Sequence, residues 1–189
     1  GTAWAVVWQD GRSGVDWDVY GTTVSTTGVV AMEDGIAISA TAGTDEREPA
    51  SAAAGATSLV AFRSGDDATS DVLGTRLNAA GTPTDAVPFV IGGGAGVQSE
   101  PAVAATATEY LVTFSDDPDG AGAVSNANVR GRRARATGAA LIDGAPFAIT
   151  TTFGFGSQPA WAGGTSYVAV WTGFRAGFYA IYASPIPTP

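Results

Sequence analysis

One feature limits what this chain can fold into more than any other: a short pattern of apolar residues and glycine recurs four times along 189 residues. Asp18-Val19-Tyr20-Gly21 leads to Val24 and Gly28, and Asp71-Val72-Leu73-Gly74 leads to Leu77 and Gly81 with the same spacing. The third copy is Asn128-Val129-Arg130-Gly131, leading to Ala134 and Gly138, and the fourth is Ala180-Ile181-Tyr182-Ala183, leading to Ile186. Self-similarity at a fixed period means one supersecondary unit used repeatedly, with each unit burying its apolar face on its neighbours.

A second anchor precedes each copy, an apolar run closed by a large aromatic residue. These runs are Trp4 to Trp8, Ser58 to Phe62, Tyr110 to Phe114 and Tyr167 to Trp171. Two further anchors complete the unit. One is an apolar pair around a single residue, at Ile36 and Ile38, Phe89 and Ile91, and Phe147 and Ile149; the other is a proline before small residues, at Pro49, Pro101 and Pro159. With clusters of Gly, Asp, Ser and Thr between them, each unit reads as four short strands. In chain order they are strand a (proline), strand b (aromatic-ending), strand c (Val-x-Gly) and strand d (Ile-x-Ile). The chain enters at b and leaves after c, so the expected count is three, four, four and three strands, and the chain is expected to be a piece of something longer. The repeats span approximately 1–54, 55–106, 107–163 and a partial 164–189.

Strand b does not alternate in the manner of a half-solvated strand. Both faces are apolar, for example Tyr167, Ala169 and Trp171 against Val168 and Val170, so both are expected to be covered by protein. An all-β fold follows, in which about four successive four-stranded antiparallel sheets stack as the blades of a β-propeller, incomplete at both ends. Small residues in strand a, such as Ala50, Ser51 and Ala52, suit the crowded centre of such a stack. The alternatives are a β-sandwich and a parallel β-helix.

Composition removes several kinds of chemistry. There are 9 basic and 18 acidic residues, no histidine and no cysteine, and the net charge is −9. Such a surface disfavours nucleic acid and anionic lipid as partners. The chain brings no imidazole base, thiol nucleophile, disulfide or thiolate metal site. No apolar run is long enough for a transmembrane helix, so membrane insertion is not expected.

The segment Trp8-Gln9-Asp10-Gly11-Arg12-Ser13-Gly14, followed by Asp16-Trp17-Asp18-Val19-Tyr20-Gly21, resembles the Trp-x-Asp-x-Arg-x-Gly and Asp-Val-Tyr-Gly unit of repeat arrays in large bacterial secreted and cell-surface proteins. The second copy keeps Asp71 and Gly74 with Leu73 in place of the tyrosine. The third places Arg130 there, and the fourth retains Arg175 and Tyr182 without the acidic residues. The resemblance implies a propeller-like fold and an extracellular or cell-surface location, and it carries no catalytic residue over.

Three groups stand out as sites. The loop between strands b and c of the first unit holds Asp10, Arg12 and Asp16, which either lock the loop by ion pairs and turn hydrogen bonds or bind a ligand. Asp116, Asp117 and Asp119, with Gly120 behind them, offer alternating carboxylates of the kind that wrap calcium; the competing reading is a solvated acidic turn. Arg130 and Arg132 share one face of a strand c, opposite Arg133 and Arg135, as either an anion site or a charged sheet edge. No paired carboxylates in apolar surroundings, Gly-x-Ser-x-Gly elbow or phosphate loop occurs. The expected function is therefore a non-catalytic extracellular binding or scaffolding module with a protein or surface glycan as partner, and with self-association or pairing with the rest of a longer chain. A calcium-stabilised adhesion repeat and a fragment of a propeller glycoside hydrolase are the alternatives. No cofactor other than calcium is expected.

Overall fold

The computed structural model describes residues 3–120, 127–161 and 164–188. These residues form fourteen strands and no helix. The first set is β1 (Ala3–Asp10), β2 (Asp18–Ser25) and β3 (Ile36–Ser39). The second is β4 (Glu46–Ala54), β5 (Thr57–Gly65), β6 (Ser70–Leu77) and β7 (Phe89–Gly92); the third is β8 (Val97–Ala105), β9 (Glu109–Asp117), β10 (Asn128–Arg135) and β11 (Phe147–Ala148). The fourth is β12 (Gly154–Trp161), β13 (Ser166–Arg175) and β14 (Phe178–Pro187). Pairing within every set is antiparallel between sequence neighbours. The second and third sets join into one eight-stranded sheet through a single parallel bridge, Ser70 to Val97, so the described residues make three sheets.

The glycine of strand c and the isoleucine of strand d prove to be one device. A Cβ on Gly21 would stand 2.4 Å from Ile38 Cδ1, and one on Gly74 would stand 2.5 Å from Ile91 Cδ1. The missing side chain lets the strand-d residue lie flat over strand c. The fourth set has no strand d paired to β14 among the described residues, and there the glycine is replaced by Ala183.

The sets stack by their faces. Phe62 and Val60 of β5 pack against Val19 and Ile38, and Tyr110, Val112 and Phe114 of β9 pack against Leu59, Ala61, Val72 and Ile91. Tyr167 and Ala169 of β13 pack against Ala104 and Leu111. In each case the alternate residues ending at the aromatic face the preceding set. Phe62, Phe114 and Trp171 are buried as expected from sequence, whereas Trp8 is half-buried. In the fourth set Val168, on the other face of strand b, is exposed among the described residues.

Strands β4, β8 and β12 lie side by side, with β1 against β4, so the first strands of successive sets line one shared interior. Each carries a bulge opposite the strand-b aromatic: Glu48 and Pro49 face Phe62, Glu100 and Pro101 face Phe114, and Gly156 and Ser157 face Trp171. This register corrects the sequence alignment. Pro159 lies beyond the bulge, paired with Ala169, and the residue equivalent to Glu48 and Glu100 is Gly156. All three have positive φ, 55°, 53° and 60° respectively. That conformation costs a glutamate roughly 1–3 kcal/mol and glycine very little.

Candidate functional site

The bulges turn one backbone amide per set out of its own sheet and toward the preceding set. Glu48 N–H donates to Gln9 Oε1 at 3.2 Å, Glu100 N–H to Glu48 Oε2 at 2.7 Å, and Gly156 N–H to Glu100 Oε2 at 2.9 Å. Ser115 Oγ also donates to Glu100 Oε2, at 2.8 Å. On its other oxygen Glu48 faces Arg63 Nη1 at 3.5 Å. A relay of hydrogen bonds thus runs through all four sets, with the two strained glutamates as its links. Beside it opens a cavity of about 240 Å³, lined by Arg63, Glu100, Ser115, Asp117 and Phe155 among others. The sequence marked Pro49 and Pro101 only as repeat anchors and gave the glutamates before them no role. Their role was hidden because the two glutamates are 52 residues apart.

The first-unit residues Asp10, Arg12 and Asp16 do come together locally. Arg12 pairs with Asp10 and donates to Asp34 O at 2.9 Å, with its guanidinium 4.0 Å above the Tyr20 ring. Trp8 Nε1 donates to the same Asp10 at 2.9 Å. These hydrogen bonds, from Arg12 first and Trp8 second, hold the Asp10 carboxyl well below its usual range. Asp16 accepts from Ser13 Oγ at 2.8 Å and from Gly43 N at 2.6 Å, and the Ser13 bond leads in lowering its pKa. The Trp, Asp, Arg and Tyr of the motif therefore form a contact chain that ties the b–c loop to strand c. The fourth set keeps half of it, with Arg175 4.1 Å above the Tyr182 ring. There Gly173 occupies the aspartate's place, and Trp171 Nε1 is buried without a partner.

In the third set the same aspartate position is Asp116, and its arginine comes from strand c. Arg130, in the place of Tyr20, pairs with Asp116, which also accepts from Gln98 Nε2 at 2.9 Å. The sequence-predicted acidic and basic groups thus meet at one pair, at the edge of a cavity of about 330 Å³ lined also by Gly93, Gly94 and Pro146. Asp116 and Asp117 end β9 instead of standing in the loop. Asp117 Oδ1 accepts from Asp119 N at 3.3 Å. Among the described residues no three acidic side chains gather in a geometry able to hold a metal ion. Positions 121–126, the added length of that loop, lie outside the described residues.

Arg132 does not join Arg130 in an anion site. Its guanidinium donates to four carbonyls: Val90 at 3.1 Å, Ile91 at 3.3 Å, Asp143 at 3.2 Å and Gly144 at 2.9 Å. Nor is β10 a sheet edge, because it pairs with β9 on one side and β11 on the other.

Two arginines join neighbouring sets: Arg76, which the sequence did not single out, and Arg133, which it placed only on the opposite face of strand c from Arg130. Arg76 binds Asp85 with its guanidinium and backbone amide, and reaches Gly138 O of the third set at 3.0 Å. Arg133 does the same with Asp143 and reaches Pro187 O of the fourth set at 3.2 Å. Burial pushes both aspartates up, yet the arginine hydrogen bonds and charge together outweigh it and hold them below their usual range. The equal two-residue spacing from Gly74 and Gly131 was the signal available in the sequence.

No protein-family model and no curated protein matches the chain. Among solved structures it is similar to a protein of unknown function from Dyadobacter fermentans DSM 18053, at 11% identity and a TM-score of 0.66; the match covers 99% of this chain and 50% of that one. It is also similar to a GH43 endo-arabinanase from Bacillus licheniformis, at 12% identity and a TM-score of 0.51, covering 98% of this chain and 70% of that one. The chain thus spans half the length of the first of these proteins. At such identities the likeness is one of fold.

Proposed function

We propose that the four sets are successive blades of a β-propeller and that the chain is a non-catalytic binding or scaffolding module of a secreted or cell-surface protein, with a glycan or another protein as its partner. The observation that carries this reading is the state of the interior carboxylates. Glu48 and Glu100 are each committed to the main chain of the next set, and Glu48 to Arg63 as well. A glycosidase needs one carboxyl acid and one carboxylate aimed at a shared substrate, and this pair is instead aimed along the stack. The variable b–c loops on a rigid frame are then the surface left for recognition.

A second reading, a glycoside hydrolase, is supported by the GH43 neighbour and by the cavity that places Phe155 beside Glu100, Asp117 and Arg63. An aromatic wall next to carboxylates is chemistry that sugars use. The test is a glycan array that includes arabinan fragments, read for both retention and released sugar, with and without a calcium chelator. Retention with no release, unaffected by chelator, is the expected result. Released sugar would overturn the non-catalytic reading, and chelator-sensitive retention or melting would replace it with a calcium-stabilised adhesion repeat.

A further inference from the structure

Where the second set meets the third, the side chains that close the space at other junctions are missing. Gly92, Gly93 and Gly94 follow Ile91, whereas Ser39, Ala40 and Thr41 follow Ile38, and Thr150, Thr151 and Thr152 follow Ile149. Across the same space Pro118 stands four residues after the strand-b aromatic, the place held by Arg12 in the first set. There the arginine fills the space, lying over the Tyr20 ring and donating to Asp34 O. The bare glycines and the proline leave instead the cavity of about 330 Å³ at the Arg130 and Asp116 pair. Every residue that lines it belongs to the second or third set, so neither end of the chain borders it. It shares no lining residue with the interior cavity at Glu100 and Phe155.

The polar groups of its wall have bonding capacity left over. Asp116 accepts from Arg130 through Nε alone, and neither Nη of Arg130 has a hydrogen bond to a described residue. Gln98 is 2% exposed and donates through Nε2 to Ala95 O at 3.1 Å and to Asp116 Oδ1 at 2.9 Å. Both partners are acceptors, which fixes the way the amide faces. Its Oε1 is then a buried acceptor with no partner among the described residues. Donors are thus offered by Arg130 and acceptors by Asp116 and Gln98, beside apolar surface from Phe114, Ala145 and Pro146. The guanidinium and the carboxylate already balance each other, so an ionic ligand of either sign meets a like charge. A hydroxyl both donates and accepts, and a ring bearing several on a C–H framework matches both kinds of wall. The volume lies at the lower end of the roughly 300–1,000 Å³ usual for small-molecule sites.

We infer that this cavity binds one uncharged sugar ring, with Arg130 and Asp116 holding its hydroxyls and its C–H surface against Phe114 and Pro146. The inference rests on the reading of the chain as a binding module and gives that reading a site.

NMR of the 189-residue chain with the methyl glycosides of glucose, galactose, mannose and arabinose, set beside glucuronate and galacturonate, tests it. Saturation transfer to at least one uncharged glycoside is expected, with amide shifts at Gly93, Gly94 and Gln98, and the uronates should bind about tenfold or more weakly. Arg130→Leu combined with Asp116→Ser installs the pair that the second set carries, Leu73 and Ser64. It should melt close to the parent and bind about tenfold or more weakly, because the charge-assisted contacts are gone. Ala145→Trp, at an exposed position of the wall, leaves the pair intact and should weaken binding as much by filling the cavity. No transfer to any uncharged glycoside, uronates binding as tightly, either variant binding like the parent, or shifts confined to other loops would overturn the inference. The last of these would leave a binding module with its site elsewhere, whereas released sugar in the array test would strike the non-catalytic reading and leave these shifts in place.

Discussion

Glu48 Oε2 accepts the backbone N–H of Glu100 at 2.7 Å, so a side chain held at positive φ in one set satisfies a main-chain group turned outward by the equivalent bulge in the next. The strain and the hydrogen bond are parts of one arrangement, because without the bulge neither the carboxylate nor the amide would reach the other. Glu48→Ala should cost about 1.5–3 kcal/mol in chemical denaturation, as expected when a charged acceptor is removed from a backbone donor. Glu48→Gln should recover part of that loss. Equal stability of Glu48→Ala and the parent would show that the relay does not hold the sets together.

Glu46 gives the fold a pH dependence of its own. It is buried, accepts from Ser39 Oγ at 2.8 Å through one oxygen, and has no partner on the other. Burial raises its pKa above the ordinary 4.5, with Ser39 and Thr41 opposing in part. Between 4.5 and the raised folded value the native state binds more protons than the unfolded state, so this group's contribution to stability falls as pH rises through that window. At the equivalent position the third set carries a neutral amide, Gln98, paired opposite Asp116 as Glu46 is opposite Ser64. Glu46→Gln is therefore expected to stabilise the chain at pH 7 and to differ much less from it at pH 4. Melting temperatures at the two values check this, and a variant less stable at pH 7 than the parent would contradict it.

Gly74 and Ala183 hold the same place in two sets and should respond unequally to exchange. Gly74→Ala brings a Cβ to 2.5 Å from Ile91 Cδ1 and should cost about 1–3 kcal/mol, the usual penalty of overpacking. Ala183→Gly, in a set with no strand d among the described residues, should cost less than about 1 kcal/mol, the typical penalty of a strand glycine. Denaturation midpoints of the two variants compare them directly.

The strand plan could be read from the sequence because it depends on short spacings: Val19-x-Gly21 and Ile36-x-Ile38 sit on neighbouring strands with a fixed turn between them. The three, four, four, three phase of the fourteen strands follows from the same anchors. The relay and the arginine staples could not be read, because their partners are brought together only by stacking. Arg76 and Gly138 are 62 residues apart. The misplaced Pro159 shows a further limit. Proline marks the start of a strand, but the bulge is set by backbone conformation, and in the fourth set Gly156 supplies it without a proline beside it. Asp116 and Arg130 were both singled out as ligand groups, and the register Phe114 to Arg130 turns them toward each other.

The stack itself, with two interior sets and two outer ones, is tested most directly by native-state hydrogen exchange at low protein concentration. Amides of β5 and β9, paired on both sides and covered on both faces, should exchange only through global unfolding. Amides of β1 and β14, each with one unpaired edge and one uncovered face among the described residues, should exchange faster by local opening, with β14 around Ile181 among the fastest strand residues. Protection of β14 equal to that of β5 in dilute monomer, or fast exchange in β9, would contradict the arrangement of the four sets.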